Sequence, residues 1–173
     1  MAQSDLREVS GKDDRIRARR LRETQNIFAR LPATYAASRK QGQQILKRAA
    51  GLSIVEWRTL WDLAEVGPLT IRELALIQRT DHSLLSRALP DMRRKGLVEM
   101  RRDEEDGRQT IVELTTAGRE AFDQAAPFMK RRREAMRAQF TPDELALFAS
   151  FLDRFDDFLS QPIDDFLNEE SAE

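Results

Sequence analysis

Apolar residues recur at helical spacing along most of the chain, broken once by a stretch of alternating character. From Asp81 the positions Leu85, Ala88, Leu89 and Met92 form one apolar face. Thr80 or Asp81 supplies a side-chain oxygen for the N-terminal cap. Arg93, Arg94 and Lys95 followed by Gly96 read as the C-terminal stop. Leu97–Arg102 and Gln109–Leu114 then read as two strands, joined across Asp103 to Arg108 with an Asp106-Gly107 turn signal. A helix followed by a two-stranded ribbon with arginines at its tip has the outline of a winged helix.

Three capping boxes mark further helix starts. Ser53…Glu56 opens a helix to about Ala64, with Ile54, Trp57, Leu60, Trp61 and Ala64 on one face. Thr70…Glu73 opens a short helix, set off by a Gly67-Pro68 turn, and Thr141…Glu144 opens the last one with Pro142 at its first position. Before them, Leu21–Ala49 reads as a long helix with an interrupted stripe of Ile27, Phe28, Leu31, Tyr35, Ile45 and Leu46. Pro32 lacks an N–H donor and is expected to kink that helix or start a new one. A second long helix spans 115–140, with Phe122, Ala125, Met129, Met136 and Phe140 in rhythm and an interruption at Pro127. The last helix carries Leu145, Phe148, Phe151, Leu152, Phe155, Phe158 and Leu159, a wider apolar face than a small domain needs, and a helical dimer interface accounts for it.

The expected fold is therefore mainly α: a winged helix-turn-helix with a two-stranded β-wing, flanked by long N- and C-terminal dimerisation helices. The expected divisions are a basic arm, disordered at least in part, over 1–20; the N-terminal dimerisation helix or helices over 21–50; the winged-helix domain over 51–118; C-terminal dimerisation helices over 119–162; and an acidic tail over 163–173.

Charge sharpens this picture. The net charge of −1 argues against a nucleic-acid binder, but the distribution does not. Residues 1–50 carry twelve Lys/Arg against five Asp/Glu, a net +7, and residues 141–173 carry ten Asp/Glu against Arg154 alone, a net −9. The run Lys130–Arg133 reads as a solvated face. Without cysteine there is no disulfide framework, and the single histidine, His82, makes a metal cluster unexpected. We expect no cofactor. The sequence has no membrane-length apolar run and no apolar signal core, so a cytoplasmic protein is expected.

In a helix-turn-helix the first residues of the second helix face base edges in the major groove. Here those are His82, Ser83, Ser86 and Arg87. Serine hydroxyls donate or accept, and arginine pairs bidentately with guanine. The wing tip would bring Arg108, with Gln109 and Arg102 or Arg101 nearby, to the minor groove or the backbone. Double-stranded DNA is the expected partner. No nucleophile–base–orienter set, phosphate-cradling glycine loop or metal cluster is evident, and the chain is read as no enzyme. The competing reading is a winged-helix protein-interaction module without specific DNA binding, motivated by the near-neutral charge and the acidic wing.

Two segments, GLSIVEWRTLWDLAEVGPLTIRELA and SLLSRALPDMRRKGLVEMRRDEEDGRQTIVELTTAG, resemble the MarR family of transcriptional regulators. The resemblance covers Gly51 to Gly118, and its specific part is the wing: Asp103, Asp106-Gly-Arg108, then Val-Glu-Leu-Thr115 and Gly118. It implies that Arg108 inserts into the minor groove and that Asp106 orients it. It also implies a homodimer on a pseudo-palindromic operator, with repressor activity and release by a small aromatic ligand. Tyr35, Arg39, Trp57 and Trp61 are the residues that could furnish a stacking surface and a cation for such a ligand, although both tryptophans also fit a core role. The departure from the family pattern is Pro90, inside the recognition helix. An interior proline costs ~3 kcal/mol, so a kink or an early change of helix direction is expected there. The acidic residues Asp103, Glu104, Glu105 and Asp106 would repel phosphate unless Arg101, Arg102 or Arg108 pairs with them.

Overall fold

A computed structural model describes residues 11–104 and 106–167. In chain order its elements are α1 (Lys12–Gln25), α2 (Ile27–Ala50), α3 (Ile54–Val66), β1 (Leu69–Thr70), α4 (Ile71–Gln78), α5 (His82–Arg94), β2 (Val98–Arg102), β3 (Thr110–Leu114), α6 (Thr116–Arg137), α7 (Pro142–Leu159) and α8 (Asp164–Leu167). The described residues fall into two compact units, divided between Ala126 and Pro127. The mainly helical winged-helix fold read from the sequence is the observed one.

All three capping boxes form. The Glu56 N–H donates to Ser53 Oγ and the Ser53 N–H to the Glu56 carboxylate, and Thr70/Glu73 and Thr141/Glu144 repeat the exchange. Loss of a cap such as Ser53 costs about 1 kcal/mol. The core of the first unit is built from Leu46 of α2, Leu60 and Leu63 of α3, Leu74 of α4, Leu85, Leu89 and Met92 of α5, and Val98 and Val112 of the wing, all buried. Antiparallel pairing sets Val98 opposite Leu114 and Arg102 opposite Thr110. The sheet gains a strand that the alternation did not reveal. β1, only two residues long, pairs with β3 through Leu69↔Val112 and Thr70↔Ile111, giving the order β1-β3-β2.

The prolines do not end the helices that contain them. The break in the N-terminal helical stretch falls at Asn26, whose side chain accepts from the Phe28 and Ala29 N–H groups as a cap, and Pro32 lies inside the continuous α2. Likewise α5 continues past Pro90 to Arg94, and α6 passes through Pro127. All three prolines are on exposed positions, where water can take the carbonyl that each leaves without a helical donor. In α5 the fully buried Leu85, Leu89 and Met92 each contribute roughly 1.5–3 kcal/mol, which outweighs the proline penalty. The expected N-terminal arm is corrected in part: residues 12–20 belong to α1, a helix with no buried residue, while residues 1–10 lie outside the described residues. Of the expected acidic tail, Asp164–Leu167 form α8, and 168–173 lie outside the described residues.

One junction ties the wing to α6. Gly96 has φ +71, the left-handed conformation that closes α5, with the Leu97 N–H on the Met92 carbonyl at 3.0 Å. Thr115 Oγ1 donates to the Gly96 carbonyl at 2.6 Å and accepts from the Gly118 N–H at 2.9 Å. A Cβ on Gly118 would lie 2.0 Å from the Leu97 oxygen. That approach explains the glycine of the Leu-Thr-Thr-Ala-Gly run.

In the second unit, α7 buries none of its residues. Phe148, Phe151, Leu152, Phe158 and Leu159 are exposed, and Phe158 packs edge-to-face on Phe166 at 5.4 Å.

Gly118→Ala is expected to cost about 3 kcal/mol because backbone must move, a fall in Tm of roughly 6–12 °C for a chain of this size. Gly107→Ala, with open space around its α-carbon, should change stability by no more than about 0.5 kcal/mol. Thermal denaturation followed by circular dichroism distinguishes the two, and equal melting temperatures would contradict the close approach.

Candidate nucleic-acid interface

α3 holds the end of α4 and thereby the turn into α5. Gln78, the last residue of α4, is buried. Its carbonyl accepts from Arg58 Nη2 at 2.6 Å. Its side-chain amide donates to Asp62 Oδ2 at 2.8 Å and to Thr59 Oγ1 at 3.4 Å. Burial pushes the Asp62 carboxyl up from its ordinary value, against the opposing pull of the Gln78 amide and the Arg58 charge. Arg79 follows at φ +46, ψ +52, a left-handed conformation that costs roughly 1–2 kcal/mol for a residue with a Cβ. Such a turn is tolerated because both flanking helices are fixed by packing.

α5 then starts on Asp81, not Thr80. Asp81 Oδ1 accepts from the Ser83 N–H at 2.8 Å, and that bond holds its carboxyl below the ordinary range. With Leu85, Leu89 and Met92 facing the core, His82, Ser83, Ser86 and Arg87 are all exposed. Two of the four are already oriented. Ser86 Oγ donates to the Ser83 carbonyl at 3.1 Å, leaving its hydroxyl oxygen as an acceptor. Arg87 Nε donates to the same carbonyl at 3.0 Å, which leaves the terminal guanidinium nitrogens for another partner.

An open groove of about 860 Å³ runs beside the start of α5 and reaches the wing. Arg72, Leu76, Arg79, His82 and Gln109 line it. Of these, His82 and Gln109 were expected from the sequence. Arg72 and Arg79 were missed, although Arg72 is two residues after the Thr70 cap, where a first-turn side chain sits beside helix-terminal N–H groups.

The wing turn is closed by the Gln109 N–H on the Asp106 carbonyl at 2.8 Å and the Asp103 N–H on the Gln109 carbonyl at 3.1 Å. Asp106 directs it from within. Its carboxylate accepts from the Gln109 side-chain amide at 2.9 Å and from the Arg108 backbone N–H at 3.1 Å, and these bonds lower its pKa. Asp106 therefore acts on the backbone of Arg108. Arg102 spends Nη1 on the Gly107 carbonyl at 2.6 Å and so braces the same turn. Arg101 pairs across the strands: its Nε donates to Glu113 Oε1 at 2.6 Å, and that bond, with smaller contributions from the charges of Glu104 and Asp103 at the tip, raises the guanidinium pKa. The Arg108 side chain is exposed and has no ion-pair partner among the described residues.

The four residues singled out for a ligand do not share one surface. Trp57 is only 3% exposed, stacked on Phe122 at 5.2 Å with Trp61 edge-on at 5.6 Å, so it belongs to the core and offers no face to a ligand. Trp61 is half-buried. Tyr35 is 62% exposed on α2, and its hydroxyl accepts from Arg39 Nη1 one turn away at 3.3 Å. Among the described residues, no helix is long and apolar enough to cross a membrane.

Residues 50–109 match the model of the MarR family. Over 108 residues the chain is 29% identical to the uncharacterized HTH-type transcriptional regulator YxaD of Bacillus subtilis, covering 62% of this chain and 76% of that protein. Over 78 residues it is 32% identical to the HTH-type transcriptional repressor IacR of Pseudomonas putida, covering 45% of this chain and 47% of the repressor, about half its length. The crystal structure of Sco3205, a MarR family transcriptional regulator from Streptomyces coelicolor in complex with DNA, is similar with a TM-score of 0.66 and 24% identity, covering 81% of this chain and 96% of that one.

The Asp62 shift has a consequence for stability. Because folding raises this pKa, the carboxyl favours the folded state below its unfolded value, ordinarily 3.8, and that contribution is lost as pH rises through the folded value. Asp62→Asn keeps an acceptor for Gln78 without the titration. Its stability relative to wild type should improve between about pH 4 and pH 7. Urea denaturation at both pH values reads this, and a constant difference would count against it.

Proposed function

The winged-helix domain of this chain is a MarR-family domain, and from that premise we propose that the chain is a homodimeric, sequence-specific DNA-binding transcriptional regulator. In this reading it is a repressor released from a pseudo-palindromic operator by a small aromatic ligand. The observation that carries the proposal is the groove that brings His82, at the exposed start of α5, together with Gln109 of the wing, with Arg72 and Arg79 lining it between them.

On the exposed side of α5, Arg87 offers two terminal nitrogens to a guanine edge, while Ser83 and Ser86 offer hydroxyls and His82 a ring nitrogen. Arg108 extends from the braced wing turn to the minor groove. Arg102, committed in part to the Gly107 carbonyl, stiffens the tip, and Gln109 helps Asp106 hold its direction. Arg72 and Arg79 supply phosphate contacts.

Dimer formation is supported by the apolar side chains left uncovered on α7, and on α2 by Ile27 and Phe28. A two-fold arrangement would set two α5 helices about 34 Å apart, one turn of DNA. For the ligand, the Tyr35–Arg39 pair supplies a ring and a cation for an aromatic carboxylate, with half-buried Trp61 as a further candidate surface. A coupling of about 1–3 kcal/mol between ligand and DNA would serve regulation. The reading as a protein-interaction module rests on the acidic wing, but Asp106 is engaged by amide donors and Arg101 by Glu113, which leaves Arg108 available to phosphate.

Fluorescence anisotropy with DNA from around the chain's own gene tests the proposal. Affinity should fall steeply with salt, log K changing by about −0.9 per phosphate neutralised for each decade of salt. Arg108→Ala should weaken specific binding by roughly 5- to 150-fold, the equivalent of about 1–3 kcal/mol, with the dimer mass unchanged by sedimentation. Salt-independent binding without sequence preference would favour the protein-interaction module instead.

A further inference from the structure

We propose that Gln43 and Glu56 are positioning residues for the recognition helix α5, acting through Lys95; the proposal rests on the DNA-binding reading above.

The first observation is a contrast among the three capping boxes. Glu73 and Glu144 are exposed, and each directs one carboxylate oxygen to the backbone N–H and the hydroxyl of its own capping threonine. A capping box requires nothing more. Glu56 differs on both counts. Its side chain is 7% exposed, and its two oxygens are divided between elements. Oε2 accepts from the Ser53 N–H at 2.6 Å, while Oε1 accepts from Lys95 Nζ at 2.6 Å. Lys95 is the C-terminal cap residue of α5, thirty-nine positions along the chain. Burial would push the Glu56 carboxyl up, but the bonds from Lys95 and Ser53 outweigh it and hold the pKa below the ordinary value. The anion that caps α3 is thus also the anion that holds the end of α5.

The second observation extends the link to α2. Gln43 spans the turn between α2 and α3, its Nε2 donating to the Leu52 carbonyl at 3.0 Å and its Oε1 accepting from the Ile54 N–H at 2.9 Å. One side chain of α2 thereby fixes the backbone on both sides of Ser53, the residue that Glu56 grips. The links run without a gap from α2, through the α3 cap, to the end of α5. The start of α5 is held separately, through the Gln78 clamp on the preceding turn. With 13 residues, α5 is about 20 Å long. A helix fixed at both ends has a defined tilt, and contacts to base edges depend on tilt. A displacement of α2 against α3 must strain this chain of bonds, which makes the tilt sensitive to the N-terminal helix.

The plain alternative is that Lys95, whose side chain is 58% exposed, contacts phosphate directly and Glu56 merely stabilises the fold. Operator affinity measured across a salt series separates the two, at a temperature where circular dichroism shows every variant folded. Glu56→Gln, isosteric and still able to accept from Ser53, and Lys95→Met should each weaken binding by roughly 3- to 30-fold. The double variant should be no weaker than the weaker single one, as expected for residues acting in one link. Gln43→Ala should weaken binding in the same direction, and Lys95→Arg should retain most of the affinity. The salt slope should remain that of wild type in all of them, because no phosphate contact is lost. Affinity within twofold of wild type for Glu56→Gln and Gln43→Ala, whatever their melting temperatures, overturns the proposal. So does a Lys95→Met slope shallower by about 0.9, the loss of one phosphate contact. A wild-type chain with no operator affinity sinks this inference together with the DNA-binding reading, whereas the preceding two outcomes sink the inference alone.

Discussion

The Leu97 carbonyl approaches Gly118 so closely that a Cβ there would stand 2.0 Å from the oxygen. Around that point Thr115 joins the Gly96 carbonyl to the Gly118 N–H, so the end of α5, the return of the wing and the start of α6 meet at one place. The Leu97 and Gly118 backbones meet directly, with the Thr115 hydroxyl and the Leu114 side chain beside them, and little freedom remains in how these three elements cross. The direction in which α6 leaves the junction brings Phe122 flat against Trp57. That stack closes the aromatic core and removes Trp57 from any ligand surface. The placement of the recognition helix, the wing and the core aromatics thus follows from one backbone approach that only glycine permits.

Within that frame the arginines divide their work. Arg58 secures the end of α4 through the Gln78 carbonyl, Arg101 ties the two wing strands through Glu113, and Arg102 braces the tip through the Gly107 carbonyl. Arg87 and Arg108 remain extended toward solvent, the first steadied by the Ser83 carbonyl and the second held by its backbone N–H on Asp106. The physical logic is preorganisation. A guanidinium whose base is already fixed loses less conformational freedom when it meets a partner than one on a mobile loop. The acidic wing belongs to the same logic, because Asp106 is a hydrogen-bond acceptor that shapes the turn before it is a charge.

The prolines show how burial overrides a local rule. Pro32, Pro90 and Pro127 each lie inside a helix that continues past them. Each occupies an exposed position, so the missing bond is on the side that water reaches, while the opposite face of α5 is fully buried. Where the chain does break, at Asn26, the cause is a favourable cap and not a forbidden residue.

Features that depend on neighbours within a few positions were legible in the sequence: the three capping boxes, the Gly96 stop, the exposed run of His82, Ser83, Ser86 and Arg87, and the Asp106-Gly107 turn. Their energies are local, a side chain meeting a backbone group three residues away, and so the pattern alone determines them. Tertiary structure decided the rest. β1 is two residues long and exists only because β3 passes beside it. Arg72 and Arg79 join His82 and Gln109 only once α4 and the wing flank one groove. Trp57 is core and not ligand surface because Phe122, 65 positions away, stacks on it. The Glu56 carboxylate reads as an ordinary cap until folding buries it against Lys95. In each case the deciding partner is distant in sequence, and the burial that gives the contact its strength does not exist until the chain has folded.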